Sequence, residues 1–323
     1  MRNKVLQKIF PAFGTINTIT LYDNADLDIV QQIKKRALEQ HQRFSVFESG
    51  SDISRINEQA GRKPVSVHQD TFFVLSHALA YGRQTQGAFD ITSGASSRLW
   101  REAIYSGKLP SEADIAECCG LKGLNDLILD KADGTVFLPR KGQQIDLGGI
   151  AKGYAADEAV QILKKYKIPN AVINFGGTVV VLGKAKRIGI QNPFQKSGER
   201  MGDIEIKNKA VVTSGSYERG FTLKGRRYHH IIDPRTGWPA ESGLLSVTLI
   251  GDSAMELDGL ATGVCVLGEQ KGLPLLKRRG IEAVFINDAG EVKITPGLQG
   301  NMLQKRRVCG AEFRKTKFFF LKK

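Results

Sequence analysis

Long apolar runs are missing from this 323-residue chain. None approaches the ~20 consecutive residues that a membrane-spanning helix needs, so the sequence predicts no integral membrane segment. The opening stretch MRNKVLQKIFPAFGTINTITLYD lacks the apolar core of a secretory signal and holds no cysteine for lipid attachment. Those absences predict a cytoplasmic location. Cysteine is scarce: Cys118, Cys119, Cys265 and Cys309, with no C-x-x-C spacing. That pattern argues against a disulfide framework and against a structural zinc site. Helix-turn-helix, finger and RNP-like patterns are also missing, so the net charge of +14 predicts no nucleic-acid partner. Half of that charge is local, since residues 301–323 carry eight Lys or Arg against one Glu. This segment reads as a basic tail rather than a folded element, after a domain over 1–300 with a possible subdomain break near 142. The remaining positive charge suits an anionic substrate such as a pyrophosphate.

Periodicity supplies the fold class. TINTITLYD alternates apolar and polar residues as a strand does, and the following stretch to Phe47 has helical spacing, with Leu27, Val30, Ile33, Ala37 and Leu38 on one face. Helices are expected again in SDISRINEQAG, DTFFVLSHALAYGRQTQG, SSRLWREAIYSG and PSEADIAECCG, and a hairpin around Asp133-Gly134. The second half reads as the strand QQIDL, the helix IAKGYAADEAVQILKKY, and the strands NAVINFGG, TVVVLG, KRIGIQNP and AVVTSGSYERGFT. GLLSVTLIGDS then leads into the helix AMELDGLATGVCVLG, and IEAVFINDAGEVKITPG closes as a hairpin. Helices and strands are intermixed with many hairpins, which predicts α+β rather than a doubly wound parallel sheet.

Three stretches carry chemistry. In YHHIIDPRTGWPA, a strand bearing two histidines runs into a stiff turn, because Pro fixes φ and Gly accepts φ > 0. Either the turn aims an imidazole, or one histidine packs and the other is solvated. IDLGGIAKGYAAD is a strand, a Gly148-Gly149 turn and a helix start, without the P-loop or dinucleotide-binding spacing. It offers free N–H groups and Lys152 to an anion, or else simply packs a strand tightly on a helix. ELDGLATG sets Asp258 and Thr262 four apart on one helical face. That is an oxygen-ligand set for Mg²⁺, or a Thr hydroxyl bonded back to the i−4 carbonyl beside a solvated carboxylate.

Taken in order, FSVFESGSDISRIN, GAFD, IDLGGIAKGYAAD, NFGG, IGIQNP, TSGSYERGF, HHIIDPRTGWPA and DGLATGVCVLG resemble the ApbE family, the FAD:protein FMN transferases. The resemblance runs from about residue 13 to about 297. It implies an α+β fold of mixed sheets and packed helices, with an FAD site between the two halves. It also implies a Mg²⁺-dependent transferase that attaches FMN from FAD to a Ser or Thr hydroxyl of an acceptor protein through a phosphoester bond, releasing AMP. Such acceptors carry a D-x-x-[ST]-G-A-[ST]-like motif.

Site residues follow from the same resemblance. Phe13 and Phe47 stand at positions bordering the flavin, where the family often has Met and Tyr. Ala88, Phe89 and Asp90 match an FAD-contacting segment, Asp146 and Lys152 match FAD-binding positions beside the glycine turn, and Ile232 follows the motif histidine. Gly149 and Ala261 would give backbone oxygens to Mg²⁺, and Asp258 and Thr262 side-chain oxygens. His230 matches the motif histidine and, with Asp258, is the expected catalytic pair, leaving His229 a structural role. Thr178, Leu257 and Gly259 depart from commoner family residues. The chain also contains DITSGAS, Asp90 to Ser96, so Ser96 reads either as a helix cap or as a self-acceptor. Two further activities fit the same motifs: FAD hydrolysis to FMN and AMP, and FAD binding without catalysis.

Overall fold

Alternation at every second residue builds the framework, because successive strand side chains point to opposite faces. The computed structural model describes residues 5–23, 26–196, 198–300, 302–304 and 317–321. Nine strands form one sheet, lying side by side in chain order: β1 (Leu6–Ala12), β2 (Thr15–Leu21), β3 (Ala171–Phe175), β4 (Thr178–Leu182), β5 (Lys209–Gly215), β6 (Leu244–Gly251), β7 (Glu282–Asn287), β8 (Glu291–Ile294) and β9 (Lys317–Phe320). Neighbours are antiparallel except β8 and β9, which are parallel. The fold is α+β, as the intermixed pattern implies.

Both faces of the sheet are covered. Val180, Ala210, Val212, Ala283 and Phe285 belong to the larger core under the helices. Their neighbours Val179, Val181, Val211, Val284 and Ile286 belong to a second core, which meets Ile190, Met201, Ile204 and Ile206. Those last residues lie on a three-stranded sheet of Lys186–Gln191, Arg200–Ile206 and Met302–Gln304. The helices are α1 (Leu27–Phe44), α2 (Asp52–Glu58), α3 (Gln69–Gln84), α4 (Gly94–Ser106), α5 (Glu112–Gly120), α6 (Ala151–Lys165), α7 (Ala254–Leu267) and α8 (Glu269–Arg278). The larger core includes residues from Phe10 to Phe285 and so crosses position 142.

Several expectations are corrected. QQIDL is not a strand: Gln144 makes a single bridge to Ser93, and the Asn57 side chain bonds both Ile145 N–H and Ile145 C=O. Side chains satisfy that backbone, so no ladder is needed. Leu27 is exposed, and Ile29 takes its place on the buried face of α1. AVVTSGSYERGFT breaks after Gly215 and resumes at Gly220–Leu223. β1, Arg200–Ile206 and α8 appear where no element was expected; α8 persists around Pro274 because Gly272, Leu275 and Leu276 are buried. Within the segment read as a tail, Met302–Gln304 and Lys317–Phe320 are strands. Cys118, Cys119 and Cys265 are free thiols, and Cys309 lies outside the described residues.

Candidate functional site

Two helices cap each other at the centre of the site. Ile150, the N-cap of α6, has no side chain able to bond the free N–H groups of the first turn. Asp258 of α7 supplies that acceptor, its Oδ2 taking the Gly153 N–H at 2.9 Å. Asp157 of α6 returns the bond, accepting from Ala254 N–H at 2.8 Å, Met255 N–H at 3.0 Å and Ser253 Oγ at 2.8 Å. Burial pushes the Asp157 carboxyl up, and the cap bonds pull the other way. The helices touch backbone to backbone, since a Cβ on Gly153 would lie 2.4 Å from the Ala254 oxygen.

This junction assembles five of the expected residues. Lys152 Nζ donates to the Gly148 carbonyl at 3.0 Å and stands 3.5 Å from both Asp258 oxygens. Thr262 Oγ1 is 3.3 Å from Ser214 Oγ, and a Cβ on Gly149 would meet it at 3.3 Å. The Thr262 hydroxyl also bonds back to the Asp258 carbonyl, at a long 3.5 Å. Asp258 is buried rather than solvated. Ala261 is buried between them on α7. One carboxylate, two hydroxyls and nearby backbone carbonyls make a hard-oxygen donor set, which fits Mg²⁺. Among the described residues no group of three His, Cys, Asp or Glu is placed to hold a metal, so a zinc-type site is not present there.

The motif turn positions the imidazole. His229 ends the short strand Arg226–His229, which pairs with Gly220–Leu223. Asp233 C=O accepts from Gly237 N–H, the Asp233 carboxylate is held by Arg235, and Gly237 takes φ +75°. Trp100 Nε1 donates to Gly237 C=O at 2.7 Å, and Ile232 is buried with Trp100, Ile115 and Tyr228. His230 Nδ1 meets the Arg219 carbonyl at 3.2 Å. A carbonyl only accepts, so Nδ1 carries the proton and Nε2 keeps a free lone pair. Burial, with Arg219 and Lys152 nearby, lowers the His230 pKa to about 4, leaving it neutral. Lys152 also acts on Glu218, whose carboxyl burial pushes up. His229 is buried, its Nε2 3.1 Å from Ala240 C=O, which is a structural role.

The remaining expected residues divide between packing and surface. Phe89 and Ala88 are buried; a Cβ on Gly149 would lie 3.1 Å from the Phe89 ring, which therefore backs the glycine turn. A Cβ on Gly259 would lie 3.0 Å from Tyr81 and 3.4 Å from Phe89, so a larger residue there would have to displace the Tyr81 ring slightly. Asp90 accepts from Thr92 N–H and Oγ1, and burial raises its pKa. Phe13 sits at the β1–β2 turn with φ +55°, its N–H on His41 Nδ1 at 3.2 Å. Phe47 is 74% exposed. Asp146 accepts the Gly148 N–H at 2.7 Å and pairs with Arg101 at 2.9 Å. Ser96 is 3% exposed in the first turn of α4, and Ser93, not Ser96, occupies the N-cap position.

The family profile described as "ApbE family" matches residues 13–285. The chain belongs to the ApbE family. An ApbE relative from Klebsiella pneumoniae, named FAD:protein FMN transferase, is 37% identical over 244 residues, covering 75% of this chain and 77% of its own. One of the same name from Treponema pallidum is 33% identical over 289 residues, covering 84% and 79%. The crystal structure of the ApbE protein of Thermotoga maritima superposes with a TM-score of 0.85 at 30% identity, over 92% of this chain and 99% of that one. The flavin transferase ApbE of Vibrio cholerae gives 0.81 at 26% identity, over 92% and 99%.

Sequence reasoning did not assign roles to Asp157, Gly153, Arg101 and Glu218. For Asp157 a signal existed: an acidic residue on the same helix as Lys152, one turn beyond Gly153, with a Ser-Ala helix start elsewhere lacking acid at its first position. The others depend on contacts between segments far apart in sequence.

Proposed function

We propose that this protein is a Mg²⁺-dependent FAD:protein FMN transferase. The observation that carries the reading is the α6–α7 junction, which gathers Asp258, Thr262, Gly149 and Lys152, with Lys152 within electrostatic reach of a neutral His230. The names of the relatives support the same chemistry. In this reading the Asp258 and Thr262 side-chain oxygens and the Gly149 and Ala261 carbonyls would hold Mg²⁺. When bound, that ion neutralises charge on the diphosphate and on departing AMP. Lys152 faces the phosphates, while Phe13, Phe47, Ala88, Phe89, Asp90, Asp146 and Ile232 form the FAD surroundings.

His230 Nε2 accepts the proton of a Ser or Thr hydroxyl on the acceptor. The hydroxyl oxygen bonds to the FMN phosphorus, the phosphorus–oxygen bond to AMP breaks, and AMP leaves. Little covalent work falls to the protein, so orientation dominates the rate. The acceptor is a flavoprotein segment resembling D-x-x-[ST]-G-A-[ST], and the cytoplasm is the proposed location. Among the described residues no helix is long and apolar enough to cross a membrane.

The test incubates purified protein with FAD, Mg²⁺ and a domain carrying that motif. Covalent flavin on the acceptor, equimolar AMP and loss of both on chelation are expected. FMN and AMP without covalent flavin would assign the hydrolase instead, and FAD binding without AMP release would assign a binding protein.

A further inference from the structure

Arg101 projects from α4 and joins two segments that are remote in sequence. Its Nη2 lies 2.9 Å from Asp146 Oδ2, and its guanidinium carbon lies 4.7 Å from the centre of the Phe47 ring. The other Asp146 oxygen takes the Gly148 N–H, so the carboxylate is held from both sides at the entrance to the glycine turn. Such contacts are poor candidates for a folding role. The Arg101 side chain is 42% exposed and Phe47 is 74% exposed, and ion pairs in water contribute little to stability. A planar guanidinium can nevertheless lie flat on an aromatic ring while bonding a carboxylate, which an ammonium cannot.

We propose that Arg101 is a positioning residue for the flavin end of FAD. It fixes the Asp146 carboxylate and orients the exposed Phe47 ring, so that the aromatic surface offered to the flavin is held in one geometry. This rests on the FAD-dependent reading above. The coupling runs from Phe47 through Arg101 to Asp146.

Equilibrium dialysis of FAD, without Mg²⁺ or acceptor, tests the assignment. Arg101→Ala is expected to weaken FAD binding about tenfold, with ADP, which lacks the flavin, changed less than about twofold. Arg101→Lys should recover part of the loss, because it keeps the charge but not the stacked plane. Arg101→Ala combined with Asp146→Asn should bind FAD no more than about twofold worse than the more damaging single variant, the mark of residues acting as a unit. FAD binding by Arg101→Ala within about twofold of the unsubstituted protein would overturn the proposal, as would equal weakening of FAD and ADP. If the unsubstituted protein binds no FAD even when Mg²⁺ is supplied, the transferase reading fails as well, which separates the two failures.

Discussion

Asp258 performs two tasks with one carboxylate: it caps α6 and it offers oxygen beside Thr262. Asn keeps the cap acceptor and removes the charge. Asp258→Asn is therefore expected to fold, with melting within about 4 °C of the original, while flavin transfer falls at least ~100-fold and no longer responds to added Mg²⁺. A retained metal response would remove Asp258 from the ligand set. His230 makes a separate prediction, through pH. Its folded pKa of about 4 lies below the ordinary 6.5, so it is deprotonated through the neutral range. Transfer by kcat/KM should stay level on acidification to about pH 5, whereas an unburied imidazole would lose activity near 6.5. The unfolded chain takes up the proton first as pH falls. The stability contributed by neutral His230 is thus complete above 6.5 and lost between 6.5 and about 4. His230→Gln should abolish transfer and flatten that part of melting temperature against pH. Ser96 is buried, so mass analysis after incubation with FAD and Mg²⁺ should find its peptide unmodified.

At the scale of elements, the crossed caps between α6 and α7 determine where the site residues point. Gly153→Ala would drive a Cβ into the Ala254 carbonyl and Met255 Cα, both backbone atoms that no rotamer change can move aside. The expected cost is ~1–3 kcal/mol, read as a lower melting temperature, together with weaker Mg²⁺ response as Asp258 loses its Gly153 contact. Asp157→Ala removes the acceptor for Ala254 N–H, Met255 N–H and Ser253 Oγ. Denaturant titration should show a loss of about 1–3 kcal/mol, since buried donors are left without partners. If Asp157→Ala were as stable as the original chain, the cap would not be what orients α7. The strand bearing His229 is oriented differently, by the Asp233–Gly237 turn packed under Trp100.

For the whole molecule, local pattern determined much of the outcome. Short, near-continuous apolar runs such as TVVVL and LLSVTLIG form strands whose two faces are both buried. Helices starting at Ser51 and Ser111 carry their own caps in sequence, and both form where those caps stand. Motif order and spacing were enough to place the chain in its family, since Asp258 and Thr262 share a helix face wherever that helix goes. Tertiary structure alone decided the rest. Ile145 looks like strand and is not, because Asn57, remote in sequence, satisfies its backbone. Nothing local tells Asp258 that it will cap α6, or Arg101 that it will meet both Phe47 and Asp146. Those facts depend on which surfaces the two cores bring into contact, a free-energy balance over the whole chain, whereas periodicity and capping are decided within a few residues of backbone geometry.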